Sequence, residues 1–515
     1  MQKFIFKDSV HTVKKEQTVK KFLYVSNNDD CEKDVGFYYE NQQNITIDGC
    51  GNSLLFADDI TGFVFKNCEN IRISNIKIDY AINCHFELKV SSVTEAKIYI
   101  RERKGFEFNV MDEKIVRVDG REVASGLMLP YDEAKARPDY RTGMYRFGAD
   151  DIIEGLIPLN LSIRQDECGY YIENKPIYAI RTGQVLVFMC YPRHNQTIVF
   201  IDCKNITVEN VEISYSPSMG IVAQTSENVC LQNLKMKKNS NHGLISTCAD
   251  ATHFVNCSGK IVLQDCEFFH MLDDGANVHG NYTKVCSVEG NTIKTEIKHF
   301  QQYGVNVYKS DDVLDVYEGS TIELKKQIKV KQSRLLTPSI VELEVEDALG
   351  ICAGDTIENS ERMPSVYINN CRCGNNRPRA FLLTTPKPVI VENCEFSTCA
   401  HAIDISGDTT YWFESGRVKD ILIRNNVFNV CNYNEVDYPI WIRPGFDDSN
   451  GKYYHENIRI ENNTFIGITD GIVQAANVLG LKIVGNCFKK SEDYPFIQTE
   501  RGHYFIQDCE KVEIK

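Results

Sequence analysis

Several things are missing from this sequence, and each absence narrows the reading. No segment approaches the roughly 18 consecutive apolar residues of a membrane-spanning helix, so no part of the chain is expected to cross a bilayer. The opening MQKFIFKDSVHTVKKEQTVKKF has no apolar run of signal-peptide length and no small-residue cleavage site. That predicts a cytoplasmic protein, or a secreted one if a signal was trimmed. Positive charge is in deficit: 57 Lys and Arg against 71 Asp and Glu give a net charge of −14. The balance argues against nucleic acid or an anionic membrane as the main partner and suits a neutral or cationic ligand. Zinc spacing is lacking too. The CRC at 371–373 is not a C-x-x-C pair and no partner pair follows, so no structural metal is expected. Without an export signal, the 20 cysteines read as reduced thiols, with a disulfide framework as the alternative.

What is present is a repeat. NIRISNIKI (70–78), NITVENVEI (205–213), NVCLQNLKM (228–236), GKIVLQDCEF (259–268), SVYINNCRC (365–373), PVIVENCEF (388–396), DILIRNNVF (420–428), NIRIENNTF (457–465) and GLKIVGNCF (480–488) share one design. Apolar residues alternate, then Asn, Asp or Gly intervenes, then the alternation resumes. Period-2 alternation marks a half-buried strand, and an intervening Asn marks a sharp bend because Asn tolerates left-handed geometry. Bends recur at 23 residues from Asn210 to Asn233, Asn370 to Asn393 and Asn462 to Gly485, and at 32 from Asn233 to Asp265 and Asn393 to Asn425. A coil of that length with loop insertions predicts an all-β fold, a right-handed parallel β-helix. Leucine-rich repeats have a similar period, but their consensus is absent. Cys266, Cys371, Cys394 and Cys487 fall just after bends and are expected as small residues stacked inside the solenoid.

Two stretches interrupt the repeat with alternating strands and Gly turns but no Asn bend. They predict two inserted small β-domains, each a barrel or sandwich. The expected organisation is β-helix over 1–82, an insertion over 83–197, central coils over 198–282, a second insertion over 283–362 and C-terminal coils over 363–515.

Against that frame stands HMLDDGANVHG (270–280). Two adjacent carboxylates, Asp273 and Asp274, repel, and on a plain turn the second adds nothing. Counting nine residues from each bend gives Met219, His242, Asp274 and Arg379 in successive coils, with His401 joining if one residue is deleted. Equivalent positions of a β-helix stack about 4.8 Å apart. Along the next strand Ala276 and Val278 are expected inward, Asn277 and His279 outward. Gly275 permits a bend that turns both aspartates to one side. For Asp250 two registers compete. If the extra residues of its coil precede it, DATHF (250–254) stacks beneath DGANV (274–278) and Asp250 neighbours Asp274; otherwise it lies on the order of 25 Å away. The matching alternation favours the first. Three carboxylates on one rigid face disfavour one another unless one holds a proton or a ligand is bound. Such a set suits glycosidic cleavage, where a protonated acid serves the leaving oxygen and an ionised one activates water.

The run CADATHFVNCSGKIVLQDCEFFHMLDDGANVHG (248–280) resembles the core of glycoside hydrolase family 110, the exo-acting α-1,3-galactosidases. The likeness extends to SPSMGIVAQTSENV (216–229) and ISGDTTYWFESGRVKDILIRNN (405–426), and so to nearly the whole chain; a more distant similarity is to the polygalacturonases of family 28. The resemblance implies inverting hydrolysis without a metal or other cofactor, on oligosaccharides ending in α-1,3-linked galactose, such as the blood-group B determinant or the linear epitope. It implies that Asp250, Asp273 and Asp274 are catalytic, Asp250 as acid and Asp273 or Asp274 as base.

For substrate binding the candidates are His242, Asn277, His279, Arg379, His401, Trp412 and Glu414. Each has a plainer alternative: Trp412 as a packed ring, Glu414 as a solvated loop charge, Arg379 as half of a structural ion pair, the histidines as surface residues. The inserted domains suggest a homodimer. Competing functions are a hydrolase of another glycan, similar to polygalacturonase, and a non-catalytic β-helix that binds glycans.

Overall fold

The computed structural model of the chain describes residues 2–5, 9–29, 31–148, 155–190, 192–319, 321, 323–434, 438–444 and 453–515. Its regular structure is β-strand, broken by three short 3-10 turns, and no α-helix occurs among the described residues. The solenoid follows from the repeated bend. Asn75, Asn210, Asn233, Asp265, Asn370, Asn393, Asn425, Asn462 and Gly485 all take left-handed backbone, with φ between 50° and 67°. The bends also hold one another: the Asn233 amide donates to Asn210 at 2.9 Å, and Asn210 to Asn75 at 3.3 Å.

Parallel pairing stacks the inward positions of successive coils. Ile47, Ile73, Val208, Leu231, Leu263, Ile368, Val391, Ile423, Ile460 and Ile483 form one continuous column, and each is fully buried. Burying each such side chain contributes about 1.5–3 kcal/mol, so the column is a main source of cohesion along the axis. Cys266, Cys371 and Cys394, each directly after its bend, are buried as expected. Cys487 is not: it is exposed. The residue after the Gly485 bend is Asn486, which takes the inward place and bonds Asn463 at 3.0 Å, so Cys487 faces out.

The chain leaves the solenoid after Tyr80 and rejoins it at Ile198, which pairs in register with Phe63. Between them lies a mainly antiparallel nine-stranded sheet with its own core around Phe86, Leu88, Met128, Tyr145 and Phe188. The second excursion starts within one strand. Ala276–Glu289 pairs in parallel with solenoid strands over Ala276–His279, then antiparallel with Thr292–Ile297 from Thr283 onward. This second unit has its core at Val285, Ile293, Leu314, Ile328, Val341, Leu343 and Ile357. Its turn Phe300–Gln302 reaches back to the solenoid, where the Gln302 amide donates to the Trp412 carbonyl at 2.7 Å.

Candidate active site

One register builds the site. Ile221, Thr252, Ala276, Phe381 and Ile403 face one another on successive parallel strands. Two residues upstream of each stand Met219, Asp250, Asp274, Arg379 and His401. The backbone keeps the same stacking: Gly220 N–H donates to the Asp250 carbonyl at 2.9 Å, and Ala251 N–H to that of Asp274 at 2.8 Å. Asp250 therefore lies beneath Asp274, with Thr252 and Phe254 paired to Ala276 and Val278.

The same register removes His242 from the column. Most of the extra residues of its coil precede Asp250, and His242 falls among them, in the turn Ser240–His242. Its ring stacks on Tyr215 at 4.3 Å and its Nε2 lies 2.7 Å from Asp79 Oδ1, away from the aspartates. Gly275 lies in a bend at the strand entrance, as expected, and also serves through its size. A Cβ there would come within 2.5 Å of Cys373 Sγ and 2.8 Å of the Ala380 carbonyl, so only glycine lets the Asp274 coil pack against the next.

The column opens into a cleft of about 520 Å³ with Asp250, Asp273 and Asp274 in its wall. One oxygen from each carboxylate lies within 4.8 Å of the others. Their surroundings differ. Asp274 is 1% exposed and is held by Arg379 through both oxygens, Nε at 3.0 Å and Nη2 at 2.9 Å. Burial and the two neighbouring aspartates push its carboxyl up, but the two-pronged guanidinium opposes them, and we assign it as a carboxylate. Asp250 has no guanidinium on its oxygens. Burial, then the Asp273 charge, push it well above the usual carboxylate range. Asp273 is the most open of the three, its side chain 20% exposed, with Arg193 Nη1 at 3.7 Å from Oδ2. Among the described residues this trio gathers oxygens closely enough for a cation. Arg379 already engages both oxygens of Asp274.

Of the proposed binding residues, Asn277, Arg379, Trp412 and Glu414 line the cleft. Trp412 is 37% exposed and leans on His299 at 4.4 Å. Glu414 is not a solvated loop charge: it is 7% exposed, and Asn27 donates to its Oε1 at 2.6 Å. His279 and His401 do not reach the cleft. His279 points out of the solenoid core as its parity requires, but Glu414–Ser415 pairs over its strand and covers it completely. His401 stands in the column yet faces an adjoining cavity of about 200 Å³, its ring 4.3 Å from that of Trp441.

Other lining residues escaped the sequence reading. Asn27 enters from the turn after Val19–Leu23 and Arg193 from the segment that leads back from the first insertion, and no local pattern marks them. His253, in the sequence a weaker candidate than the other histidines, also lines the cleft, its Nδ1 2.7 Å from Asp250 Oδ2.

Comparison with known proteins agrees with this architecture. The family model described as "Right handed beta helix region" matches residues 161–326 and 339–488. The chain is 31% identical over 509 residues to alpha-1,3-galactosidase A of Shewanella woodyi, covering 94% of this chain and 81% of that protein. It is 27% identical to alpha-1,3-galactosidase A of Bacteroides fragilis, covering 97% and 84%. Among solved structures, the A-module of the Azotobacter vinelandii mannuronan C-5 epimerase AlgE4 aligns over 92% of this chain and 76% of that one, at 9% identity and a TM-score of 0.40. A solenoid of Asn-bent parallel coils, two stacked carboxylates with a third beside them and this length of shared sequence lead to one assignment: the chain belongs to the family of right-handed β-helix proteins that includes these alpha-1,3-galactosidases.

Proposed function

We propose that the protein is an exo-acting α-1,3-galactosidase of glycoside hydrolase family 110 that removes terminal galactose from blood-group B type and linear Galα1-3Gal glycans with inversion. The observation that carries the reading is the contrast within the trio: a buried Asp250 in contact with His253 beside the more open Asp273, one oxygen of each within 4.8 Å of the other. Asp250 gives its proton to the glycosidic oxygen as the bond to the anomeric carbon breaks. Asp273 takes a proton from a water that attacks that carbon from the opposite face, giving β-galactose and the free aglycone alcohol. Asp274, neutralised by Arg379, holds the water from its other side. Trp412 offers a ring to the apolar face of the sugar, and Asn277 and Glu414 offer polar groups to its hydroxyls.

The short spacing favours a second stereochemistry. Inverting pairs usually stand about 6.5–9.5 Å apart and retaining pairs about 5–5.5 Å. A water within about 2.8 Å of one oxygen each of Asp273 and Asp274 would sit beside the trio instead of between acid and base, which reconciles inversion with the crowding. Retention through Asp273 as nucleophile is the alternative.

Proton NMR of the first-released sugar tests both. The substrates are a fucosylated Galα1-3Gal trisaccharide and its linear counterpart, with EDTA present, using wild type and Asp273→Asn. The β anomer from wild type alone is expected; the α anomer would establish retention. No galactose from either substrate would sink the reading in favour of another glycan or of a glycan-binding β-helix.

A further inference from the structure

Behind Asp250 runs a hydrogen-bond chain whose direction is set at its far end. His279 Nδ1 is 2.7 Å from the Gly280 carbonyl, which can only accept, so that nitrogen carries hydrogen. In a neutral ring the His279 Nε2 is then a bare acceptor. His253 Nε2 lies 2.9 Å from it, and two ring nitrogens share a single hydrogen, so this hydrogen belongs to His253. A neutral His253 is left with a bare Nδ1, 2.7 Å from Asp250 Oδ2. The hydrogen in that last contact has to come from Asp250.

Both rings are held neutral. His279 is fully covered and His253 is 1% exposed, and burial pushes each down to about 4. The anion facing them is Glu414, whose Oε1 is 3.6 Å from His279 Nε2, too long for a hydrogen bond, and is already engaged by Asn27. The other charges around the chain are Asp273 and Arg193, which face His253 and Asp250, and Arg379 and Asp274, which face Asp250. The two arginines favour ionisation of Asp250 and the carboxylates oppose it. Geometry therefore decides the proton, through the lone pair that His253 presents.

We propose that His253 and His279 are positioning residues that lock the acid proton onto Asp250, the lock being anchored at the Gly280 carbonyl. The chain is not a relay to solvent, because it ends on a carbonyl and neither ring has appreciable surface. At rest the Asp250 O–H points at the bare His253 Nδ1, and transfer requires it to turn from that lone pair to the leaving oxygen. Without such an acceptor, ionisation would leave the carboxylate facing the lone pair and is opposed. The role in catalysis rests on the galactosidase reading; the proton placement does not.

Two measurements separate these. In protein labelled with 15N-histidine, nitrogen NMR reports each tautomer, with assignments from His253→Gln and His279→Gln. The expectation is hydrogen on Nδ1 of His279 and on Nε2 of His253. Hydrogen on His253 Nδ1, or a doubly protonated ring, overturns the proposal whatever the activity. In His279→Gln the new amide can donate to His253 Nε2, turning His253 Nδ1–H toward Asp250 and favouring the carboxylate. The alkaline limb of kcat/KM is then expected to fall by about one pH unit, with the acid limb and KM unmoved and activity recovered at lower pH. A uniform loss at every pH, or an unmoved limb, overturns the lock. Expected tautomers in a protein that releases no galactose would leave the proton placement standing and remove the galactosidase reading.

Discussion

At the bend corner of the solenoid like stacks on like: Asn75, Asn210 and Asn233 repeat one left-handed turn and bond one another from coil to coil. At the corner that lines the cleft the same stacking brings together Met219, Asp250, Asp274, Arg379 and His401, where only the aspartate repeats. Both corners use one strand spacing and one backbone register. A ladder of identical amides satisfies itself and sets the repeat. A ladder of unlike residues leaves each group an environment its neighbours impose, and those differences can do chemistry. Asp250 and Asp274, one coil apart, have opposite kinds of partner: Arg379 is bonded to Asp274, and a histidine nitrogen of His253 faces Asp250.

The comparison breaks most sharply at Asp250. Asp250→Asn is expected to lower kcat by about 10³–10⁴ on a sugar leaving group, and much less on a p-nitrophenyl galactoside, whose leaving group needs little proton assistance. Equal losses on both would remove Asp250 from the acid role. Arg379→Met comes next, because it leaves a buried carboxylate without its partner. A stability loss of about 3–5 kcal/mol is expected in urea unfolding, recovered in Arg379→Met/Asp274→Asn without recovery of activity.

Glu358, in the second inserted unit, sharpens the contrast as a buried carboxylate served by a hydroxyl, with Tyr317 donating at 2.9 Å. Burial, then the Asp315 charge, push it up to about 7 from an ordinary 4.5. The folded protein keeps a proton there that the unfolded chain releases, so this contribution is full below about pH 4.5 and declines as pH rises to about 7. The decline is expected to be about 3 kcal/mol and to flatten in Glu358→Gln. An unchanged slope in that variant would place the pH dependence elsewhere. The smallest effect belongs to the repetitive corner: Asn210→Ala, at φ 53°, should cost about 1–2 kcal/mol and Asn210→Gly less, with kcat unchanged in both. A kcat loss in either would mean that the two corners are coupled.

Much of this was legible in the residues. Each bend identified from the repeat takes positive φ, because Asn in a gap between alternating strands is a local signal of backbone geometry. Stacking Asp250 under Asp274 was legible through matched alternation, while counting from the bend alone misplaced His242, since a count cannot say where within a coil the extra residues fall. Cys487 failed by one position, where Asn486 takes the inward place. His279 was read correctly for parity and wrongly for exposure, because parity says which way a side chain leaves the solenoid and not what covers it.

By itself, then, the sequence determined the β-helix and the column on which the carboxylates meet, since alternation and left-handed bends act over a few residues and repeat. Tertiary structure alone decided which groups close around that column. Asn27 reaches Glu414 across 387 residues of chain, and Arg193 meets Asp273 from the segment by which the first insertion returns to the stack. Such contacts depend on how whole coils and inserted units pack, and no local pattern encodes that. The proton on Asp250 was decided the same way, by a carbonyl, two covered rings and the hydrogen-bond direction they impose.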